Sequence, residues 1–537
     1  MPIRLLLGDE ALAQGAIDAG LSGAYAYPGT PSTEITEYAI RSPESQRGEI
    51  HCRWTANEKT ALEAALGMSY AGKRAMASMK QVGLNVAADP FVNAAIAGAH
   101  GGLIIAVADD PSMHSSQNEQ DSRLFLDVAL IPCIEPADQQ EAYLAPAHAF
   151  DLSERNRVPV MIRLTTRLAH SRATVSVDGS RAQNNRSSPP DPKRYILLPL
   201  IARDSYDDLI RRLPDFVRES EESPFNAFYD GAHTSLGIIA CGIGFNYVQE
   251  VYDGDCPHPL LKIGQYPVPE SMLSPLVDRC DRVVLFEDGY PYVEAKLSGV
   301  PARGNPRILG RLTGDVPRTG ELNPQIVADA LGLGSLSSRP ASSTPAARPP
   351  SLCPGCPHAD TCHAITSALA SIKQGRVFSD IGCYTLGALP PYEAIDTCVE
   401  MGASITMARG ASDAGLRPAL ALIGDSTFTH SGMTGLLDCV NDGTDLTVII
   451  VDNGTVAMTG GQPSAAENRL AAICAGLGVS PDHIHLIEPL PNKHAENVAI
   501  LSAEIAHEGP SVVIAQRECI QTARRKPRDL PQSGGSE

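Results

Sequence analysis

The sequence predicts a multi-domain α/β protein built on parallel sheets, and three observations carry that reading. The chain has 537 residues, enough for roughly two to four domains that each bury a core. Short β-rich runs alternate with Ala-rich helical patterns along it: GGLIIAVADD (101–110), HTSLGIIACG (233–242), DRVVLFEDG (281–289), LTVIIVDNG (446–454) and PSVVIAQRE (510–518). Strands alternating with helices imply α/β units with parallel sheets. Two polar stretches interrupt the pattern, SRATVSVDGSRAQNNRSSPPDPKRY (171–195) and GLGSLSSRPASSTPAARPPS (332–351). Both read as linkers, and the second is expected to be extended and mobile. They cut the chain into 1–170, 195–332 and 352–520, with a polar tail at 521–537 expected to be disordered.

Composition excludes several classes of function. The formal charge of −19 argues against a nucleic-acid partner, because no large basic excess is available to meet phosphates. No apolar run approaches the length of a membrane span, so no membrane association is expected. The start, MPIRLLLGDEALAQG, is too short in apolar residues for a signal peptide. Without export, the 13 cysteines read as thiols or metal ligands rather than disulfides. The expected location is the cytoplasm.

The most informative stretch is GDSTFTHSGMTGLLDCVNDGTDLTVIIVDNG, from Gly424 to Gly454. The strand-like ALALI precedes Asp425 and LTVIIV ends just before Asp452-Asn453, with room for one helix between. Parallel sheets place ligand sites at the carboxyl ends of their strands. Two adjacent strand ends therefore aim the Asp425 carboxylate and the Asn453 amide oxygen at one point, and backbone carbonyls and phosphate oxygens can complete an octahedron around Mg²⁺. Gly424 lets a diphosphate approach the backbone, and the helix after it offers its amides to the anion. A lone Gly-Asp is usually an ordinary strand end; the pairing with Asn453 is what makes this one specific. The stretch resembles the thiamine diphosphate motif, Gly-Asp-Gly, a spacer, then Asn-Asn. It departs from that pattern at Ser426 and Asp452. The resemblance implies Mg²⁺ held by Asp425, Asn453 and the main-chain carbonyl of Thr455.

Thiamine diphosphate makes a second demand. A carboxylate must hydrogen-bond N1′ of the aminopyrimidine, favouring the imino tautomer that takes the C2 proton; the resemblance implies that it comes from another domain. Glu58 offers one, after the strand-like IHCRW (50–54) and ahead of an Ala-rich helix. Taken alone, a Glu there more often stabilises a helix N-terminus by about 0.3–1 kcal/mol. Its surroundings favour the other role. YPGTPSTEI (27–35), ANEKTALEAALG (56–67), MKQVGLNVAADP (79–90), DDPSMHSSQNEQDSR (109–123), LCPGCPH (352–358), SDIGCYTLG (379–387), MGASI (401–405) and AMTGGQ (457–462) follow in that order. Together they resemble the 2-oxoacid:ferredoxin oxidoreductases, and within them the large (alpha) subunits of the indolepyruvate:ferredoxin branch.

That resemblance implies a thiamine diphosphate-dependent enzyme fold. Its pyrimidine-binding domain would occupy 1–170, a transketolase C-terminal-like domain 195–332 and a diphosphate-binding domain 352–520. It makes Glu58 the N1′ activator and puts Thr30 against the 2-oxoacid. Met401 and Gly402 lie by the aminopyrimidine; Cys356, Pro357 and His358 line the cofactor pocket, with His358 counted among the catalytic residues beside Glu58 and Thr30. Gly424, Ser426, Thr459 and Gly460 lie by the diphosphate. The implied reaction is oxidative decarboxylation of a 2-oxoacid, an aryl one such as indolepyruvate, to CO₂ and acyl-coenzyme A, with electrons passed to an iron–sulfur acceptor. The implied partners are a smaller gamma-type (beta) subunit in a dimer of heterodimers, and ferredoxin or another electron acceptor.

Cysteine spacing adds one more expectation. Cys353-x-x-Cys356 alone could be half of a zinc site, a redox pair or half of an iron–sulfur site, and no second CxxC or close His pair completes a zinc site. In family members with a cluster close to thiamine, a single Cys follows some 25 residues on and a last one after the final strand. Cys383 and Cys519 occupy those places, and four thiolates fit a [4Fe–4S] cluster; otherwise they are pocket thiols retained by the fold. Large subunits of the branch usually continue into a ferredoxin-like domain with two cysteine-rich runs. No cysteine follows Cys519, so that domain is expected to be missing and the exit route for electrons to differ. Two other readings stay open: a non-oxidative thiamine-dependent decarboxylase or carboligase, and a non-catalytic cofactor-binding subunit. EDGYPYVE (287–294) is expected to be structural, and His430 is a lesser candidate for cofactor contact.

Overall fold

A computed structural model describes residues 2–298, 307–336, 350–372 and 374–525. The chain divides into two compact units, 1–340 and 341–537. Among the described residues, no helix is long and apolar enough to cross a membrane.

The first unit holds two main sheets. The larger runs in the order Gln265–Tyr266, Cys133–Ile134, Val160–Thr165, Leu103–Asp109, Ala75–Lys80, Gly23–Ala26, His51–Trp54, and all its pairings are parallel except that of the Gln265–Tyr266 edge. Every residue of Ala75–Lys80, Leu103–Asp109 and Val160–Thr165 is buried, as strands covered by helices on both faces must be. The smaller sheet runs Arg307–Leu309, Arg282–Phe286, Gly237–Cys241, Leu260–Ile263, Ala227–Tyr229, parallel except for the last pairing. The second unit carries a six-stranded sheet, Thr397–Cys398, Arg376–Ser379, Ala419–Gly424, Leu446–Asp452, Pro510–Gln516, Ile484–Ile487, parallel throughout. The α/β class with parallel sheets is as the alternation of strands and helices predicts.

The expected linker at 171–195 is more tightly held than its composition implies. Arg172–Ser176 pairs antiparallel with Ile3–Leu7. Beyond it, Arg181 N donates to Asp18 O at 2.6 Å and Ser187 N to Ala71 O at 3.0 Å, while Asn184 Nδ2 donates to Glu154 at 2.7 Å. Polar side chains and free backbone groups here bind to the domain surface instead of to water. Most of the second linker, 337–349, lies outside the described residues. At the start of the tail expected to be disordered, Ile520–Arg525 is instead helical, and Arg525 Nη1 donates to Gly460 O at 2.6 Å. The rest of the tail, 526–537, lies outside the described residues.

Two arginines with no exposed surface, Arg123 and Arg163, join the two sheets of the first unit. Arg163 donates to Asp109 at 2.7 Å, to Glu135, and to the backbone carbonyl of Asp288 at 2.8 Å. Arg123 pairs with Asp121 at 2.6 Å and with Glu287 at 3.1 Å, and donates to Tyr290 O at 2.9 Å. Asp109, Asp121 and Glu135 come from the larger sheet and its loops; Glu287, Asp288 and Tyr290 follow the strand Arg282–Phe286 of the smaller one. Burial pushes the Asp109 carboxyl up to about 6 against the pull of Arg163, whereas for Asp121 the two arginines outweigh burial and hold it at about 2. The segment EDGYPYVE is thus structural, as expected. Its Glu287 also accepts from the backbone amides of Val293 at 2.9 Å and Glu294 at 3.1 Å.

Removing one partner of a buried ion pair leaves the other charge uncompensated and costs about 3–5 kcal/mol. Arg163→Met should therefore lower the unfolding free energy of the first unit's transition by about that amount in urea titration. A loss within the scatter of ordinary surface substitutions would show that the network does not hold the two sheets together.

Candidate functional site

In the second unit, Ala419–Gly424 and Leu446–Asp452 are neighbouring parallel strands, with Gly424 opposite Val451. Asp425 and Asn453 therefore leave adjacent carboxyl ends, as the motif predicts. Asp425 is 3% exposed, and its Oδ2 has no hydrogen-bond partner. Burial pushes its carboxyl up to about 7, opposed by a hydrogen bond from Ser464 and reinforced by the charge of Asp452. Asn453 Oδ1 accepts from Thr455 N at 3.0 Å, and its Nδ2 lies 3.4 Å from His358 Nε2. Asp452 stands where the motif has its first Asn. It is engaged elsewhere, accepting from Gly454 N at 3.1 Å and Gln516 Nε2 at 2.7 Å.

Ser426 Oγ and His358 Nδ1 are likewise buried without partners. Burial pulls the His358 imidazole down to about 4, so it is neutral near pH 7. Buried polar atoms are normally bonded. An unpaired carboxylate oxygen, a hydroxyl and an imidazole nitrogen around one motif fit a cation with a phosphate group: the carboxylate for the metal, the hydroxyl as donor to phosphate oxygen.

The helix after Asp425 contains a π-helical turn, Phe428–Gly432; such turns recur at functional sites. It brings buried His430 into the segment, with Nδ1 2.5 Å from Ser431 Oγ. Against it packs Gly402, at φ +94°, where a Cβ would stand 2.5 Å from that of Ser431. Only glycine fits such a conformation and approach. Met401, beside it, is half-buried. The MGAS turn is held by Asp380, a residue that motif reading passed over. Asp380 is fully buried and accepts from Gly402 N at 3.2 Å, from Ser404 Oγ at 2.7 Å and from the Tyr384 hydroxyl. Burial pushes it up to about 7. The signal was present: an acid directly after the apolar strand Arg376–Ser379, inside the quoted segment SDIGCYTLG.

The four predicted cluster cysteines come together. Cys353, Cys356, Cys383 and Cys519 line one cavity of about 190 Å³, and His358, Pro357, Asn453 and Gly460 line the same cavity. Cys356 caps the helix Pro357–Leu369, which starts with Pro at its first position. Cys519 N donates to Asn453 O at 3.1 Å. Burial pushes the Cys383 thiol up to about 12, with Cys356, Cys519 and Cys353 adding to it. Cys362 is not part of this lining; its sulfur packs where a Cβ on Gly387 would fall, at 2.6 Å. Thr459 does not line the cavity either, and its hydroxyl is hydrogen-bonded to Gln462 at 2.5 Å.

In the first unit, Glu58 opens the helix Glu58–Tyr70, whose start is capped by Asn57 Oδ1 accepting from Thr60 N at 2.9 Å. Glu58 is 4% exposed. Its carboxylate lies against Gly83, where an added Cβ would meet Oε1 at 2.6 Å. Lys80, at the end of the strand Ala75–Lys80, is buried and donates to Ser115 O at 2.8 Å. Burial pulls its ammonium down to about 8, against the charges of Asp110 and Glu58. Its stem packs against Gly29, 3.1 Å from where a Cβ would stand, next to the half-buried Thr30. Lys80 and Gly83 lie within MKQVGLN, which the sequence reading quoted without giving either a role.

The chain is similar to known proteins along almost its whole length. Residues 14–205 match the family model described as pyruvate flavodoxin/ferredoxin oxidoreductase, thiamine diP-bdg. Residues 380–515 match the one described as thiamine pyrophosphate enzyme, C-terminal TPP binding domain. The indolepyruvate oxidoreductase subunit IorA of Archaeoglobus fulgidus is 37% identical over 548 residues, covering 96% of this chain and 86% of that protein. The subunit of the same name from Methanothermobacter thermautotrophicus is 36% identical over 541 residues, with the same coverage. The 2-oxoglutarate synthase subunit KorA of that organism is 28% identical over 200 residues, 35% of this chain and 52% of its own.

Two outcomes follow from this geometry. A methyl group at Gly83 must displace the Glu58 carboxylate, so Gly83→Ala should cut turnover of a 2-oxoacid by at least about tenfold while leaving the melting temperature within a few degrees. Unchanged turnover would show that the Glu58 position is not critical. The second concerns pH. Metal binds the deprotonated carboxylate, so a proton must leave Asp425 below about pH 7. Calorimetric Mg²⁺-dependent affinity for thiamine diphosphate should fall as pH drops below that value and level off above it. Asp425→Asn should weaken binding and flatten the Asp425 part of the slope; an identical slope in the variant would contradict the assignment.

Proposed function

Because the chain belongs to the family of indolepyruvate oxidoreductase IorA subunits, thiamine diphosphate-dependent 2-oxoacid oxidoreductases, we propose that it decarboxylates an aryl 2-oxoacid of the indolepyruvate type oxidatively, releasing CO₂ and forming acyl-coenzyme A. The observation that carries the oxidative reading is the single cavity lined by Cys353, Cys356, Cys383 and Cys519 together with His358 and Asn453. A redox centre on those thiolates would adjoin the cofactor, within reach of electrons leaving it.

The roles proposed for individual residues are those that the resemblance to the family implies. Asp425, Asn453 and the Thr455 carbonyl hold Mg²⁺, whose task is to anchor the diphosphate. Ser426 donates to phosphate oxygen, with Gly424 and Gly460 giving the backbone room to approach; the engaged hydroxyl of Thr459 makes it the weakest of the diphosphate candidates. Gly402 and Met401 lie against the aminopyrimidine, in a turn that Asp380 positions. Glu58 would hydrogen-bond N1′ of the bound cofactor and hold the proton exchanged there. Thr30 contacts the 2-oxoacid. Thiamine diphosphate, when bound, supplies the electron sink for loss of CO₂. Burial disfavours a proton on His358, so the neutral imidazole can accept a hydrogen bond in the pocket. The four cysteines would hold a [4Fe–4S] cluster, which would supply a one-electron acceptor beside the cofactor, with ferredoxin or another carrier as the onward acceptor.

In this reading 1–170 binds the pyrimidine, 195–332 is the transketolase C-terminal-like domain and 352–520 binds the diphosphate. The two matched family models support the first and last of these. The relatives' designation as subunits supports a second chain; in this reading it is the smaller one, in a dimer of such pairs working in the cytoplasm. Non-oxidative decarboxylation is the second reading, and it uses the same residues without the cluster.

Two variants test this. Glu58→Gln should retain thiamine diphosphate but abolish decarboxylation, since an amide can bond N1′ but cannot carry its proton; near-normal turnover would remove Glu58 from its role. Anaerobically reconstituted protein should hold about four irons per chain, and Cys519→Ala should lose them while still binding thiamine diphosphate. Full 2-oxoacid oxidation by iron-free protein would defeat the cluster.

A further inference from the structure

Asp9 is the second residue of the helix Gly8–Asp18, Glu34 the second of Thr33–Arg41, and His170 the last of Thr166–His170. Each offers one ligand atom, and the three atoms lie within 4.8 Å of one another. Glu34 Oε2 is 3.4 Å from His170 Nε2. Nothing in the proposed chemistry uses this cluster.

Acidic residues at helix starts are common, and their usual explanation is the helix dipole. Asp9 does not follow it. It has no exposed surface, and neither of its carboxylate oxygens has a hydrogen-bond partner. The neighbouring acid Glu10 does the capping, accepting from Leu7 N at 2.9 Å. The strongest charges acting on Asp9 are those of Glu34 and Glu10, both of its own sign. A buried carboxylate without hydrogen bonds or a counter-charge is costly, so this group needs either a proton or a cation. The convergence of a second carboxylate and an imidazole nitrogen on the same point favours the cation.

We infer that Asp9, Glu34 and His170 form a binding site for a divalent first-row metal ion. One imidazole nitrogen with two carboxylate oxygens is a donor set for Mn²⁺ or Zn²⁺ rather than for an all-oxygen Ca²⁺ site. The Glu34 and His170 side chains are 37% and 33% exposed, so water completes the coordination on the open side. His170 also lines a cavity of about 200 Å³ with Arg167, His114 and Glu321, which gives the ion a path in. An ion here would tie together the ends of three helices. It would brace the turn that carries Thr30 into the helix starting at Thr33.

Mn²⁺ is the probe, because thiolates hold it poorly and the cysteine cavity does not compete. Full-length protein is stripped with chelator and saturated with Mg²⁺ and thiamine diphosphate, and Mn²⁺ uptake is followed by electron paramagnetic resonance. The expected result is a bound Mn²⁺ in the parent protein that survives excess Mg²⁺ and raises the melting temperature. Asp9→Asn and His170→Ala should each weaken it more than about tenfold and lose the thermal shift. Glu34→Gln and His170→Ala, at the partly exposed rim, keep the test open if Asp9→Asn fails to fold. No Mn²⁺ uptake beyond Mg²⁺-displaceable binding, or equal uptake in parent and variants, would overturn the site and leave Asp9 a protonated acid.

Discussion

The first unit depends on charge buried where water cannot reach it. Arg123 and Arg163 lie between carboxylates from two sheets, and neither arginine has any exposed surface. Such a network tolerates no vacancy, because each charge is compensated only by its neighbours. Its consequence is order in the long segment 109–123, which has little apolar content to hold it. Asp109 accepts from Ser122 N at 3.0 Å, and Asp110 accepts from Ser115 N at 2.7 Å and Ser116 Oγ at 2.8 Å. Ser115 then offers its carbonyl to Lys80, whose ammonium is close enough to Glu58 to feel its charge. A run of polar contacts thus links the charges that join the sheets to Lys80, which feels the charge of the carboxylate proposed to activate the cofactor.

The second unit uses burial differently. Its central strands Ala419–Gly424 and Leu446–Asp452 are buried along their whole length, so polar residues at their carboxyl ends are buried too. Asp380 and Asp425 are both pushed up to about 7, in each case mainly by burial, yet their situations differ. Asp380 has three protein donors and holds a turn. Asp425 keeps an oxygen unpaired. That contrast separates a positioning acid from one arranged for a ligand, a distinction the pKa values alone do not make.

The cysteine pattern illustrates how far spacing carries. Cys353 and Cys356 are local, and their proximity follows from the sequence. Cys383 and Cys519 are far away along the chain, and they reach the same cavity because one follows the strand Arg376–Ser379 and the other the strand Pro510–Gln516, at one end of a parallel sheet. Cys362, also close to Cys356 in sequence, is not drawn into the group. It sits within the helix Pro357–Leu369, outside the cavity lining. Composition was a poorer guide at the polar stretches. The stretch 171–195 reads as a linker, yet backbone and amide groups between 172 and 187 bond to the first unit, a kind of bonding that leaves no apolar trace in sequence.

By itself the sequence determined the alternation of strands and helices, the Gly-Asp and Asn ends of two buried strands, and the glycine beside Met401. These are local requirements: apolar runs for buried strands, small residues where the backbone is crowded, hard oxygen ligands at strand ends. Tertiary structure alone decided that Asp380 holds the Gly402 turn, that Lys80 and Gly83 flank Glu58, that Asp452 is turned away to Gln516, and that Asp9 is left without a partner beside Glu34 and His170. Each of these depends on which distant segments meet, and on how much water is excluded when they do. Neither quantity is encoded in the spacing of residues along one chain segment, since contact and desolvation arise only when the sheets close on their helices.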